Sequence, residues 1–154
     1  MRFFTRFLFV VFHHFANRQP FILHRKADIM LLIPNAVDSL CVLLICRSRV
    51  TRQNALDNNV SDFVTAEVSN GYQAEIVQKN APYDIIFANI LARPLIDMAP
   101  DLAAALKPGG YAVLSGFIND QEDWVVNAHT NQGLKLVKIY ELDNWRAALM
   151  EKPQ

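Results

Sequence analysis

One side-chain amide interrupts an otherwise apolar stretch of this chain. In YDIIFANILARPL, residues 83–95, an apolar run reaches Ala88, Asn89 follows, and Ile90 and Leu91 resume the pattern. A carboxamide offers a carbonyl acceptor and two N–H donors. Its carbonyl can accept a proton of an attacking amine and aim the nitrogen lone pair at a carbon electrophile. That is catalysis by orientation, with no acid–base work by the amide. The ordinary alternative is a turn asparagine that satisfies local backbone groups. No turn glycine follows Asn89, however. Two other pairs fall near predicted strand ends, Ala66-Glu67 and Ser115-Gly116. For the second pair, a plain strand terminus and turn is as good a reading as a ligand contact. No metal signature accompanies these residues. Cys41 and Cys46 lie in an apolar run and read as reduced core thiols. His13, His14 and His24 lack partners at ligand spacing and read as structural or surface residues.

Regular elements must position Asn89, and they begin at Val50. VTRQNALDNN predicts a short helix ending in Asn58-Asn59, residues that tolerate a left-handed cap. Residues 61–68 predict a strand, Ser69-Asn70-Gly71 a turn, and residues 75–78 a short helix. Residues 83–88 predict a strand buried on both faces. Pro94 suits a first helical turn, and Leu95, Ile96, Ala99, Leu102, Ala103 and Leu106 recur at helical spacing. Pro100 inside that pattern predicts a kink or two abutting helices. Lys107-Pro108-Gly109-Gly110 stops the helix, and residues 111–115 predict the next strand. A helix over 120–130 and strands over 134–141 and 145–150 complete the chain.

This alternation predicts an α/β fold: a partial Rossmann-like sheet, mostly parallel, closed by an antiparallel hairpin. In such sheets ligands sit beyond the carboxyl ends of the strands, where Asn89, Ala66-Glu67 and Ser115-Gly116 are expected.

The chain of 154 residues is long enough for one domain with a substantial core. Its formal net charge is zero, so total charge signals no nucleic-acid partner. The charge is uneven. Up to Arg52 there are eight basic and two acidic residues, about +6, which leaves about −6 for the rest. All five glycines fall late, the earliest at Gly71. A Gly-rich loop on a first strand is therefore not available in its usual form. The N-terminal MRFFTRFLFVVFHHFANRQPF is too short in its apolar core, and too interrupted by Arg6, for a clear signal peptide. No run of ~20 apolar residues predicts a membrane span. The sequence thus divides into residues 1–49, apolar, basic and weakly patterned, and residues 50–154, regular.

From about Val50 onward the chain resembles class I S-adenosylmethionine-dependent methyltransferases. Among them it is most similar to the bacterial methyltransferases of large-subunit ribosomal protein eleven. VTRQNALDNNV, PYDIIFANILARPL, APDLAAALKPGGYAVLSGF and NWRAALMEK carry the likeness. The resemblance implies S-adenosylmethionine as cofactor, a ribosomal large-subunit protein as substrate, methyl transfer to its amino groups, and a cytoplasmic location. By match to the NILA tetrad it implies that Asn89 faces both amine and cofactor. Ile90 and Leu91 would wall the pocket, and Ala66 and Glu67 would lie in a loop near the cofactor base. The family also carries a Gly-rich loop after the first strand and an acid after the second. The stretch expected to hold that acid, residues 40–45, is LCVLLI. Nothing before about Arg49 resembles the family's N-terminal recognition domain. Two other readings stay open. One is a truncated or frame-disrupted remnant that does not bind cofactor. The other is a small interaction or membrane-peripheral protein that uses the basic, Phe-rich N-terminus.

Overall fold

The computed structural model describes residues 31–33, 40–44, 48–59 and 61–154. The expectations for the Phe-rich N-terminus, for His13, His14 and His24, and for Cys46 lie outside these residues. In chain order the elements are β1 (Leu31–Ile33), β2 (Leu40–Leu44), α1 (Ser48–Asp57), a 3₁₀ turn (Ser61–Phe63), β3 (Val64–Val68), α2 (Glu75–Asn80), β4 (Tyr83–Asn89), α3 (Ala92–Asp97), α4 (Ala99–Ala105), β5 (Leu106–Ile118), a 3₁₀ turn (Asn119–Gln121), α5 (Glu122–Thr130), β6 (Lys135–Leu142) and β7 (Trp145–Glu151).

The described strands form one seven-stranded sheet in the order β3-β2-β1-β4-β5-β7-β6. Its first five positions follow the doubly wound order, which reverses between β1 and β4. β2 pairs parallel with β3, and β4 with β5. β7 runs antiparallel to both β5 and β6, which gives the expected closing hairpin. The departure is β1. It is three residues long and antiparallel to both neighbours, β2 and β4. Thus β2, β3, β4, β5 and β6 run one way, and β1 and β7 run the other. A short apolar run such as LLI suits a central slot equally well in either direction, because its sequence pattern carries no polarity.

Local sequence accounts for the element ends. Asn59 takes φ 56° just after α1, the left-handed stop expected of that pair. Pro100 divides the predicted helix into α3 and α4, with Met98 at the joint. Proline has no N–H to donate there, so the second helix restarts around it. The Lys107–Gly110 segment behaves differently from expectation. It does not separate helix from strand; it lies inside β5 as an irregularity. Tyr83 pairs with Leu106, whereas Ile85 pairs with Tyr111, so extra residues bulge out between them. Gly109, at φ 76°, donates its N–H to the Lys152 carbonyl, and the Lys152 N–H donates to the Gly110 carbonyl. The Lys152 ammonium then reaches the Ala103 and Leu106 carbonyls at 2.7 and 2.8 Å. It caps the last turn of α4, where a cation is favoured.

The core follows β4 and β5. Ile86 and Phe87 point to opposite faces of β4 and both are buried, so the sheet is covered on both sides there. Leu95 and Leu102 from α3 and α4, and Val125 from α5, join Leu114, Phe117 and Met150 in one cluster. Arg146 fastens the hairpin to the start of α5. Its guanidinium lies 3.3 Å from Glu122, 3.4 Å from Glu141 and 3.0 Å from Asn119 Oδ1. No helix among the described residues is long and apolar enough to cross a membrane.

Candidate active site

Asn89 is the last residue of β4, at the carboxyl edge of the sheet beside the point where strand order reverses. Parallel pairing sets it opposite Ser115 of β5. The Ser115 hydroxyl donates to Asn89 Oδ1 at 3.1 Å. The chain then stays hooked to β5, because the Ile90 N–H donates to the Ser115 carbonyl at 3.1 Å. Gly116 completes the clamp. Its φ is 96°, and a Cβ there would collide with the Ile90 carbonyl and stand 3.1 Å from Asn89 Oδ1. Only glycine admits both this conformation and this approach. The clamp presents Asn89 and Ile90 half-buried and leaves Leu91, just before α3, 72% exposed.

The amide keeps capacity to bind. A carbonyl oxygen has two lone pairs, and Ser115 uses one. Among the described residues nothing bonds to the Asn89 amide nitrogen. The structure therefore brings together Asn89, Ile90, Ser115 and Gly116, with Leu91 on the lip.

Ala66 and Glu67 stand elsewhere. They lie within β3 and not in a loop after it, because β2 pairs with β3 as far as Val68. Ala66 is buried, and its carbonyl accepts two bonds from Arg52, at 3.2 and 2.8 Å. Glu67 is exposed and lines an open cavity of about 310 Å³ with Ala74, Glu75, Ile76 and Lys79. β3 and β4 are three strand positions apart, roughly 14 Å at ~4.8 Å per strand. Glu67 and Asn89 thus share the carboxyl edge without touching.

Solved structures of methyltransferases share this fold. The ribosomal protein L11 methylase of Lactobacillus delbrueckii subsp. bulgaricus superposes with a TM-score of 0.63 at 22% identity, over 75% of this chain and 58% of that one. An RNA methyltransferase from Salinibacter ruber, in complex with S-adenosyl-L-homocysteine, gives 0.54 at 19% identity, over 74% and 65%. The architecture is that of the Rossmann-like methyltransferases. At the level of sequence, the profile of ribosomal protein L11 methyltransferases matches residues 46–153. The L11 methyltransferase of Caulobacter sp. (strain K31) is 42% identical over 106 residues, 68% of this chain and 36% of that protein. The chain belongs to the ribosomal protein L11 methyltransferase family. It spans about a third of the length of the curated relatives it matches.

S-adenosylmethionine is the methyl donor at the level of the family, and the described residues fit it only in part. The cavity beside Glu67 and the Asn89 clamp lie at the same edge, so a ligand reaching from one to the other would cross the ends of β2 and β1. At that crossing the described residues offer few donors. β2 ends in Leu43-Leu44, with no carboxylate to bind ribose hydroxyls. β1 runs backwards, so its carboxyl end meets the start of β4, on the edge opposite Asn89.

Proposed function

We propose that this chain serves in the methylation of amino groups on ribosomal protein L11, with S-adenosylmethionine as donor. Asn89 is the residue that meets the amine. One observation carries the reading: an amide fixed at the mouth of the sheet, with one carbonyl lone pair and its N–H groups unmatched by the described residues. A neutral primary amine that donates one N–H to Asn89 Oδ1 has its lone pair directed away from that bond. Ile90 and the exposed Leu91 give an apolar lip for the methylene stem of a lysine. Family membership supports the substrate class, since the relatives are methyltransferases of that protein.

A second reading is favoured by the reversed β1 and the carboxylate-free end of β2. It is a half-site that receives amine and does not hold donor. Charge-assisted hydrogen bonds are worth roughly 1.5–3 kcal/mol each. Losing the ribose acid and the loop amides moves a micromolar site toward millimolar, a gap of about 4 kcal/mol. Calorimetry of S-adenosylmethionine against the purified chain separates the readings. Saturable binding on the order of millimolar supports the first. A heat-silent titration, with no label transferred to L11 from the labelled donor, supports the second and sinks the first.

A further inference from the structure

We infer that Ser115 is a positioning residue for Asn89, an inference that rests on the amine-orienting reading above. Ser115 is 4% exposed, flanked by β4 on one side and β7 on the other. A buried hydroxyl needs a partner. Its hydroxyl finds Asn89 Oδ1 at 3.1 Å, a contact between residues 26 apart in sequence. An asparagine at a strand end has a broad, roughly two-fold terminal torsion and swings freely unless something holds it. The Ser115 hydroxyl selects one orientation, occupies one carbonyl lone pair, and leaves the other unmatched among the described residues. The Ser115 carbonyl takes the Ile90 N–H as well, so one residue fixes both the side chain of Asn89 and the backbone that follows it. Ser115 touches no substrate in this role. It acts by restricting where the amide can point, and orientation is the whole of what Asn89 contributes.

The test reads the order of the Asn89 side chain directly. In nitrogen-15-labelled chain, the Asn89 side-chain NH₂ is assigned by its absence from N89D, and its fast-motion order is measured. The expected result is an ordered amide in the wild type, a mobile one in S115A, and restored order in S115T, which keeps a hydroxyl. If the alanine variant unfolds the strand end, S115V matches the shape of S115T without its hydroxyl and gives the same reading. An Asn89 amide equally ordered in wild type and in S115A or S115V overturns the role. Methyl transfer to L11 adds a kinetic arm: S115A lowers kcat about tenfold and leaves KM for L11 unchanged. A change in KM alone counts against positioning. Absence of transfer by the wild type strikes the methyltransferase reading only, because the amide order is measured without donor or substrate.

Discussion

At Asn89 the decisive quantity is direction. A strand-end asparagine that merely satisfied its own turn would spend its carbonyl on nearby backbone, whereas this one spends it on a hydroxyl from the next strand. Lengthening the side chain by one methylene should therefore disturb function more than stability. N89Q is expected to lose about 100-fold in transfer to L11, as for a misplacement of ~1 Å, while its urea midpoint stays within error of wild type. Equal transfer by N89Q and wild type would contradict the orienting role. Asn89 was legible in the sequence because it is a lone polar residue between apolar segments. Ser115 was legible as a strand-end residue, but its bond to Asn89 was not, since that depends on a parallel register between residues 26 apart. The loop placement of Ala66 and Glu67 came from the resemblance alone. Local patterning over residues 61–68 already pointed to a strand through both, and pairing of β3 with β2 as far as Val68 agrees with it.

Elements hold these residues in place through backbone constraints and burial. Gly116 cannot carry a side chain without moving the NILA segment off β5. G116A should destabilise the chain by roughly 1–3 kcal/mol, read from chemical denaturation, with the largest amide shifts at Asn89 and Ile90. An unchanged midpoint would show that the clamp gives way without cost. On α5, His129 is fully buried; its Nδ1 pairs with the Val125 carbonyl at 2.8 Å and its Nε2 has no partner among the described residues. Burial lowers its pKa below the usual 6.5, while the bond to Val125 pulls weakly the other way. The unfolded chain then binds more protons than the folded one below that value, so stability falls as pH drops from 6.5 toward the depressed folded pKa. Urea unfolding at pH 7.5 and 5.5 should show this loss, and H129L should flatten it. The helix break at Pro100 and the left-handed stop at Asn59 were legible, because proline and asparagine impose them locally. The merging of residues 107–110 into β5 was not, because the bonds from Lys152 that hold it arrive from the far end of the chain.

At the scale of the whole molecule, the described residues equip the carboxyl edge of the sheet unevenly. The β4–β5 side carries the Asn89 clamp, and the β3 side carries the Glu67 cavity. Between them stand a reversed β1 and the Leu43-Leu44 end of β2. Two short apolar runs supply these strands, Leu31–Ile33 as β1 and Leu40–Leu44 as β2. Which takes the centre, and in which direction, is decided by pairing with β4 and β2 rather than by composition. The measurement closest to the central claim is transfer of labelled methyl from millimolar S-adenosylmethionine to ribosomal protein L11, comparing wild type with N89A at equal folded concentration. The account predicts transfer by the wild type and a loss of about 100-fold or more in kcat for N89A, with unfolding midpoints alike. Equal transfer by the two chains would contradict it.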